Sequence, residues 1–234
     1  MTTLRVENVI AGYGSSRVLD GLSFQLDGDS AVIIGRNGMG KTTLCKVLMG
    51  LLPVQSGSIT LDGVELAGAT SRRVVKAGVA YVPQGRRLFP SLTVDEHLAM
   101  LEPESRGKKW TAAEVYRLFP RLAERKRNGG AELSGGEQQM LAVGRALLLN
   151  TPLIVMDEPS EGLAPLIVDL LIDTIHRLID DGTSVLVVEQ NLGAATAMAD
   201  RQLVMVAGRI ETEMAASALA ADTEAQRRYL GVDT

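Results

Sequence analysis

One glycine-rich loop restricts both the fold and the chemistry of this chain. Residues 35–42 spell GRNGMGKT, which matches the pattern G-x-x-x-x-G-K-[ST] of a phosphate-binding loop. The apolar residues 31–34 come directly before the loop, and residues 41–49 favour a helix directly after it. Such a strand–loop–helix unit turns backbone N–H groups and the positive end of a helix dipole toward one anion. The sequence therefore predicts a nucleoside triphosphate site in an α/β domain.

The residue types of the loop suggest how a triphosphate would be held. Glycines let successive backbone amides turn inward and form a nest for oxygen atoms. Lys41 is expected to reach the β- and γ-phosphates, and the Thr42 hydroxyl to hold Mg²⁺. The residues expected around the nucleotide phosphates are Gly35, Arg36, Asn37, Gly38, Met39, Gly40, Lys41, Thr42 and Thr43. A glycine-rich turn with a chance lysine is the alternative.

A second motif supplies acidic residues. Residues 153–158, LIVMDE, predict a buried strand that ends in two carboxylates. We expect Asp157 on the Mg²⁺ side of the phosphate-binding loop, and Glu158 where it can orient or partly deprotonate an attacking water. Apolar strands often end in acidic residues, so this Walker B pattern alone says little. It becomes informative because it follows a phosphate-binding loop in the same chain.

Strands and helices alternate along most of the chain, which predicts a parallel sheet covered on both faces. Short strands are predicted at residues 4–10 and 22–26, before the glycine-rich loop. Residues 89–133 are helical and charged in pattern, and they indicate a helical subdomain. We therefore expect a single domain over residues 1–234, in which residues 1–88 and 134–234 form the nucleotide-binding core with its β subdomain.

Composition and charge limit the possible partners and compartment. The formal net charge is −4, which argues against nucleic-acid binding driven by charge. The single cysteine, Cys45, permits no disulfide within the chain and suits a reducing compartment. The N-terminus lacks a signal-peptide pattern, and no apolar run approaches the roughly 18 residues of a membrane span. We expect a cytoplasmic protein, or one held at a membrane surface by a partner.

The string LSGGEQQ at residues 133–139 narrows the class of protein. Ser134 can cap a helix and Glu137 can complete a capping box, while two glycines leave the helix start free to approach an anion. A well-capped helix alone does not account for the whole string. It resembles the LSGGQ-type signature of ATP-binding cassette (ABC) ATPases, and the resemblance covers essentially the whole chain. A GTP-binding switch that shares only the phosphate-binding loop is thereby excluded.

The resemblance implies a fold, a reaction and several site residues. The fold would be a P-loop NTPase core with a mostly parallel sheet, an N-terminal antiparallel β subdomain and an inserted α-helical subdomain. The reaction would be hydrolysis of ATP with Mg²⁺. Tyr13 would stack on adenine, and Gln84 would contact Mg²⁺ and the attacking water. Two subunits would face head to tail, so that Ser134, Gly135 and Gly136 of one cover the γ-phosphate bound by the other.

Four longer strings resemble one branch of the family, the second ATPase subunit (LivF-like) of branched-chain amino-acid importers. They are VPQGRRLFPSLTV at residues 82–94, DEPSEGLAP at 157–165, VEQN at 188–191 and RYLG at 228–231. This likeness implies a peripheral protein on the inner face of the cell membrane. Its partners would be a second ABC ATPase subunit, two membrane permeases and, indirectly, a solute-binding protein, with no nucleic acid.

Two alternatives to this branch stay open. The equivalent subunit of a urea or short-amide importer would have the same architecture. A soluble, non-transport ABC ATPase that works on ribosomes or DNA is the other alternative, although members of that class usually carry two fused cassettes or long coiled-coil inserts. The dimer with the second ATPase subunit is expected to be a heterodimer, and a homodimer is possible when the chain is isolated.

Other residues have weaker assignments. Arg86, Arg87, Leu88 and Phe89 are candidates to line a groove for a permease, but they can equally serve only to join the two subdomains. The two histidines, His97 and His176, are each expected to be packing or surface residues.

The chain departs from the wider superfamily at two positions. Gln190 stands where most cassettes carry a switch histidine, and Ala164 stands where an aspartate is usual. Both changes recur in the LivF-like branch. Glutamine can donate a hydrogen bond to a γ-phosphate oxygen, but it carries no proton or positive charge. The resemblance therefore implies an asymmetric pair, in which the site on this subunit hydrolyses ATP more slowly than the site on a histidine-bearing partner.

This asymmetry leads to a testable expectation for Gln190→His. A histidine would restore a protonatable donor near the γ-phosphate, so the single-turnover rate of ATP hydrolysis should rise. The rate is to be measured for the chain alone and with its partner cassette. If neither rate increases, glutamine at this position does not limit hydrolysis.

Overall fold

The computed structural model describes residues 2–101 and 109–231. The sequence also predicts a polar loop at residues 103–109, and all of it except residue 109 lies outside the described residues. Within the described ranges, every helix is too short or too polar to cross a membrane.

The smaller of two sheets is antiparallel and is formed near the N-terminus. Its strand order is β2-β1-β4-β5. The strands are β1 (Thr3–Tyr13), β2 (Ser16–Asp27), β4 (Ser56–Leu61) and β5 (Val64–Glu65). The expected antiparallel β subdomain is therefore confirmed.

The larger sheet carries the glycine-rich loop, and its order is β10-β9-β3-β8-β7-β6. Its strands are β3 (Ala31–Ile34), β6 (Val79–Val82), β7 (Leu153–Asp157), β8 (Ser184–Glu189), β9 (Arg201–Val206) and β10 (Arg209–Ala215). All neighbouring pairs are parallel except β10 with β9. The prediction of an α/β fold with a mostly parallel sheet is confirmed.

Helices accompany both sheets. They are α1 (Lys41–Leu48), α2 (Ser71–Ala77), α3 (Val94–Ala99), α4 (Ala112–Leu118), α5 (Pro120–Glu124), α6 (Gly135–Leu148), α7 (Pro165–Asp180), α8 (Leu192–Met198), α9 (Ala216–Ala221) and α10 (Thr223–Ala225). A 3₁₀ turn at Gly130–Glu132 precedes α6, and a π-helical turn at Gln226–Leu230 follows α10.

Strand β3 shows why the larger sheet is buried on both faces. Successive side chains of a strand point to opposite faces, so each face receives every second residue. Ala31 and Ile33 belong to one hydrophobic cluster, while Val32 and Ile34 belong to the other, and all four are fully buried. The continuous apolar pattern of β3 is thus the pattern of a central strand in a three-layer α/β domain.

The helices within residues 89–133 share a core with the rest of the molecule. Phe119 and Leu122 pack in the same cluster as Met140 of α6. The contact of α4 with α6 is so close that a Cβ on Gly144 would lie 2.6 Å from Val115 Cγ1. Residues 89 and 133 as subdomain boundaries stay a prediction, because shared packing does not define where a subdomain begins.

The His97 ring forms hydrogen bonds with two backbone groups in the segment before α3. The residue is fully buried, its Nε2 accepts the Phe89 N–H at 2.9 Å, and its Nδ1 lies 2.8 Å from Thr93 O. The second contact requires a proton on Nδ1, so the neutral ring satisfies both partners. Burial lowers the pKa of His97. His97 is thus a packing residue, as expected from the sequence.

The hydrogen bonds of His97 make part of the stability pH-dependent. Because the folded-state pKa lies below the unfolded value of about 6.5, the contribution is present above that value and is lost as the pH falls through the folded pKa. Urea unfolding from pH 8 to pH 5 should therefore show the stability difference between wild type and His97→Gln shrinking at low pH. His176→Gln, which changes an exposed histidine, is the control for the exchange of histidine by glutamine.

Candidate functional site

The glycine-rich loop joins β3 to α1 and depends on two backbone features. Gly40 at the start of α1 has φ 105°, a left-handed conformation that glycine adopts without steric cost. A Cβ on Gly35 would lie 2.5 Å from Met205 O, so no side chain fits there. The loop therefore lies close against β9 at this point.

Lys41 folds back across the loop. Its side chain is only 3% exposed, and Nζ donates to Gly35 O at 2.8 Å and to Arg36 O at 3.2 Å. The same nitrogen forms an ion pair with Glu158 Oε1 at 3.2 Å. The ammonium group thus connects the phosphate-binding loop to the end of β7.

Asp157 is the buried acidic residue of the site, with 1% of its surface exposed. Oδ1 accepts the Thr42 hydroxyl at 3.1 Å, and Oδ2 accepts the Tyr81 hydroxyl at 3.0 Å. Burial raises the pKa of Asp157, and the two hydrogen bonds oppose that rise. Burial also raises the pKa of Tyr81, so its phenol keeps the proton that it donates.

Glu158 follows directly and has an unusual backbone. Its φ is 46°, in the left-handed region that costs a non-glycine residue roughly 1–2 kcal/mol. Gln84 Nε2 lies 3.0 Å from Glu158 Oε2 and 3.0 Å from Glu161 Oε2. Strain of this kind is concentrated at functional sites, where surrounding contacts hold the residue in place.

Lys41, Gln84 and Glu158 line one cavity of about 370 Å³. Its lining residues are Val18, Asn37, Gly38, Gly40, Lys41, Thr42, Thr43, Gln84, Glu158 and Glu161. The phosphate-binding loop, the residue after the Walker B aspartate and the Gln84 segment therefore meet in space, although they are far apart in sequence. Glycine amides, an ammonium group and carboxylates at one cavity provide both anion binding and a base.

The side chains at this cavity suit Mg²⁺ in chemical type. Magnesium prefers oxygen ligands and is usually held by one or two carboxylates together with substrate phosphates. The Thr42 hydroxyl and the Asp157 carboxylate are in direct contact, and the Gln84 amide lines the same cavity. No cluster of three His, Cys, Asp or Glu side chains suited to a metal occurs in residues 2–101 and 109–231. An ion held partly by phosphate fits this arrangement.

The start of α6 carries the other residues that the sequence predicts for the ATP site. Ser134 and Glu137 make both hydrogen bonds of the expected capping box. A Cβ on Gly136 would lie 2.9 Å from Ile167 Cγ1, and one on Gly135 would lie 3.1 Å from the Arg86 guanidinium. Ser134 and Gly136 line a cavity of about 290 Å³ that shares no lining residue with the phosphate-loop cavity. Ser134 and Gly136 thus line a different cavity of the molecule from the one lined by the phosphate-binding loop.

Tyr13 and Gln190 lie at the margins of the phosphate-loop site. Tyr13 is 48% exposed, and its hydroxyl accepts Lys46 Nζ at 3.2 Å. Hydrogen bonds from Thr43 and Lys46 lower the pKa of Tyr13. Gln190 is exposed and lines, together with Glu158, a neighbouring cavity of about 950 Å³. The exposed ring and amide leave both residues accessible to a bound molecule.

The segment after Gln84 is conformationally strained. Gly85, Arg86 and Arg87 have φ values of 75°, 63° and 45°, three left-handed residues in succession. Arg86 reaches α6, where its Nη1 donates to Gln138 Oε1 at 3.3 Å. The segment thus connects the phosphate-loop cavity to the start of α6.

Three polar residues at the site were not predicted from the sequence. They are Tyr81, Glu161 and Glu189. Glu189 ends an apolar strand just as Asp157 does, and that pattern could have drawn attention to it. Tyr81 directly precedes the string at residues 82–94, and Glu161 lies within the string at residues 157–165; nothing in the sequence distinguishes either residue before the fold is known.

The fold and the site define a P-loop nucleotide-binding domain of the ATPase type. The family model described as "ABC transporter" matches residues 19–161. The chain belongs to the ABC transporter family, as one of its ATP-binding cassettes, the ATPase class that powers transport.

Two relatives and one solved structure show how far the similarity extends. The branched-chain amino-acid transport ATP-binding protein BraG of Pseudomonas aeruginosa is 40% identical, over 97% of this chain and 99% of its own. The probable branched-chain amino-acid transport ATP-binding protein LivF of Archaeoglobus fulgidus is 32% identical, over 98% and 99% respectively. A crystal structure of a nucleotide-free ATP-binding cassette from an ABC transporter matches with a TM-score of 0.84, 26% identity and full coverage of both chains.

Removal of the Tyr81 hydroxyl should destabilise the protein, because its hydrogen bond to Asp157 is lost. Tyr81→Phe leaves a buried carboxylate oxygen without this donor, and an unsatisfied buried acceptor costs about 1–3 kcal/mol. We expect the free energy of unfolding in urea to fall by that amount. Tyr116→Phe, which removes an exposed hydrogen bond to Asp95, should cost less. Equal losses in the two variants would contradict a special role for Tyr81.

Proposed function

We propose that this chain binds MgATP and hydrolyses it as one of two paired cassettes that energise a branched-chain amino-acid importer. The main support is the convergence of Lys41, Thr42, Gln84, Asp157 and Glu158 on one site. The substrate assignment rests on the similarity to BraG and LivF, since the cassette itself carries no solute-binding site that the sequence identifies.

Each of these residues has a role that follows from its chemistry. The loop amides and Lys41 neutralise phosphate charge, the main source of catalysis in phosphoryl transfer. Thr42, Asp157 and Gln84 would hold Mg²⁺, which supplies charge neutralisation at the phosphates when bound. Glu158 accepts a proton from, or orients, the attacking water. Gln190 would donate a hydrogen bond to the γ-phosphate.

Nucleotide would compete with contacts that already exist in the site. Lys41 is paired with Glu158, and Gln84 bridges Glu158 to Glu161. A phosphate group near Lys41 offers a stronger anionic partner, so Glu158 and Gln84 would be released toward the water and the metal. Tyr13 would add a stacking surface for adenine beside Thr43.

The remaining half of the site would come from a partner cassette. Ser134 and Gly136 line a cavity that shares no residue with the phosphate-loop cavity of the same molecule, which supports the action of Ser134, Gly135 and Gly136 in trans. A heterodimer with a histidine-bearing cassette is proposed because Gln190 replaces the switch histidine. The pair would sit on the cytoplasmic face of the membrane, and Phe89, which is 46% exposed, would contribute to the permease groove with Arg86, Arg87 and Leu88.

Purification of the tagged chain from detergent-solubilised membranes of its own cells tests the assembly. We expect two permeases and a second cassette to be recovered, and expect uptake of labelled leucine to be lost when the chain is deleted. Recovery of ribosomes instead would contradict the proposal in favour of a non-transport ATPase. If the deletion abolishes urea uptake and leaves leucine uptake intact, urea would replace branched-chain amino acids as the proposed solute, and the rest of the proposal would stand.

Glu158→Gln tests the catalytic assignment. The amide is nearly the same size but is a poor base, so the hydrolysis rate should fall by about 10²–10⁴-fold. Binding of a fluorescent ATP analogue should remain, because the phosphate-binding loop is unchanged. Glu211→Gln, on an exposed face of β10, is the matched control and should hydrolyse ATP normally. Normal turnover by Glu158→Gln would assign the base elsewhere.

A further inference from the structure

Glu189 is a buried acidic residue that the proposed mechanism does not use. It is the last residue of β8, directly before Gln190, and is 2% exposed. Among the described residues it forms no ion pair with Lys, Arg or His. A buried carboxylate without a cation is costly unless several hydrogen bonds satisfy it.

Backbone N–H groups from two different segments satisfy this carboxylate. Oε1 accepts the Ser160 N–H at 3.0 Å, in the segment that follows Glu158. Oε2 accepts the N–H of Gln190 at 3.0 Å and that of Asn191 at 3.4 Å. Each oxygen therefore serves one segment, and the carboxylate links the two.

The two segments leave neighbouring strands at the same edge of the sheet. Asp157 at the end of β7 pairs with Val188 of β8, and the Glu158 N–H donates to Val188 O at 2.9 Å. Glu158 and Gln190 also line the same 950 Å³ cavity. The Glu189 bridge thus joins the backbone segments that carry the two residues to which the proposed function assigns the attacking water and the γ-phosphate.

The requirement for two acceptor oxygens explains why a charged residue occupies this buried position. Glutamine has the same shape but offers only one acceptor, and its NH₂ group would face a backbone N–H. An apolar side chain would leave all three donors unsatisfied. Bonds to an ionised acceptor are also about twice as strong as neutral ones.

We infer that Glu189 is a positioning residue that fixes the Gln190 segment to the Glu158–Ser160 segment, so that the base and the γ-phosphate donor move as one unit. The inference rests on the proposed function, because it assigns those roles to Glu158 and Gln190. Glu189 itself touches neither nucleotide nor water in this account, and it acts through the backbone of its neighbours.

Glu189→Gln tests the link with a minimal change of volume. The turnover number should fall about tenfold while affinity for a fluorescent ATP analogue stays within about twofold, since the phosphate-binding loop is untouched. Glu65→Gln is the matched control. Glu65 Oε1 accepts the Ile59 and Ala67 N–H groups in the β subdomain, so the same exchange there keeps the acceptor and should leave turnover unchanged.

A double-mutant cycle with Gln190→Ala separates positioning from general stability. If Glu189 acts through Gln190, adding Glu189→Gln to Gln190→Ala should lower turnover by no more than about twofold further. If the turnover losses of the two single variants multiply in the double variant, the inference is overturned. Wild-type turnover in Glu189→Gln would also overturn it. If wild type itself fails to hydrolyse ATP, the proposed function fails instead.

Amide hydrogen exchange on the unmodified protein covers the case in which Glu189→Gln does not fold. Peptides that contain Ser160 and Gln190 should change protection together, by the same factor, when ATP is added in the presence of EDTA or of Mg²⁺. Protection that changes in one segment alone would overturn the inference.

Discussion

The site depends on the parallel pairing of β3, β7 and β8. Parallel strands end at the same edge of a sheet, so the residues that follow each strand lie close together. β3 brings the glycine-rich loop, β7 brings Asp157 and Glu158, and β8 brings Glu189 with Gln190. Two hydrophobic clusters bury both faces of the sheet and keep this edge rigid. The positions of the polar side chains at the site therefore depend on the sheet.

At this edge of the sheet, the ammonium group of Lys41 is the central polar contact of the site. Lys41 is bound by two loop carbonyls and by Glu158, and Glu158 is bound in turn by Gln84. The carboxylate that we propose as the base is therefore paired with the Lys41 ammonium group in this structure. The same ion pair that stabilises the site would also keep Glu158 from acting until an anion takes its place on Lys41.

The sequence predicted the parts of the fold that local pattern defines. The strand predicted within residues 153–158 is present as β7, Leu153–Asp157, because a central strand is apolar throughout. β1 and β2 extend beyond the predicted residues 4–10 and 22–26, since register shifts accommodate glycines that seemed to end the strands. Helix α2 was not predicted, because only Val74 of it is buried and its pattern is weak.

For the site, motifs predicted residues whose role is set by their neighbours in sequence, such as Lys41 in its loop. They did not predict Tyr81 or Glu189, because those roles are created by pairing between strands distant in sequence. The presence of separate cavities at the capped start of α6 and at the phosphate-binding loop has one further consequence. If each molecule holds only half of a reaction centre, specific activity should fall on dilution, and the observed rate would report encounters between chains as well as bond cleavage.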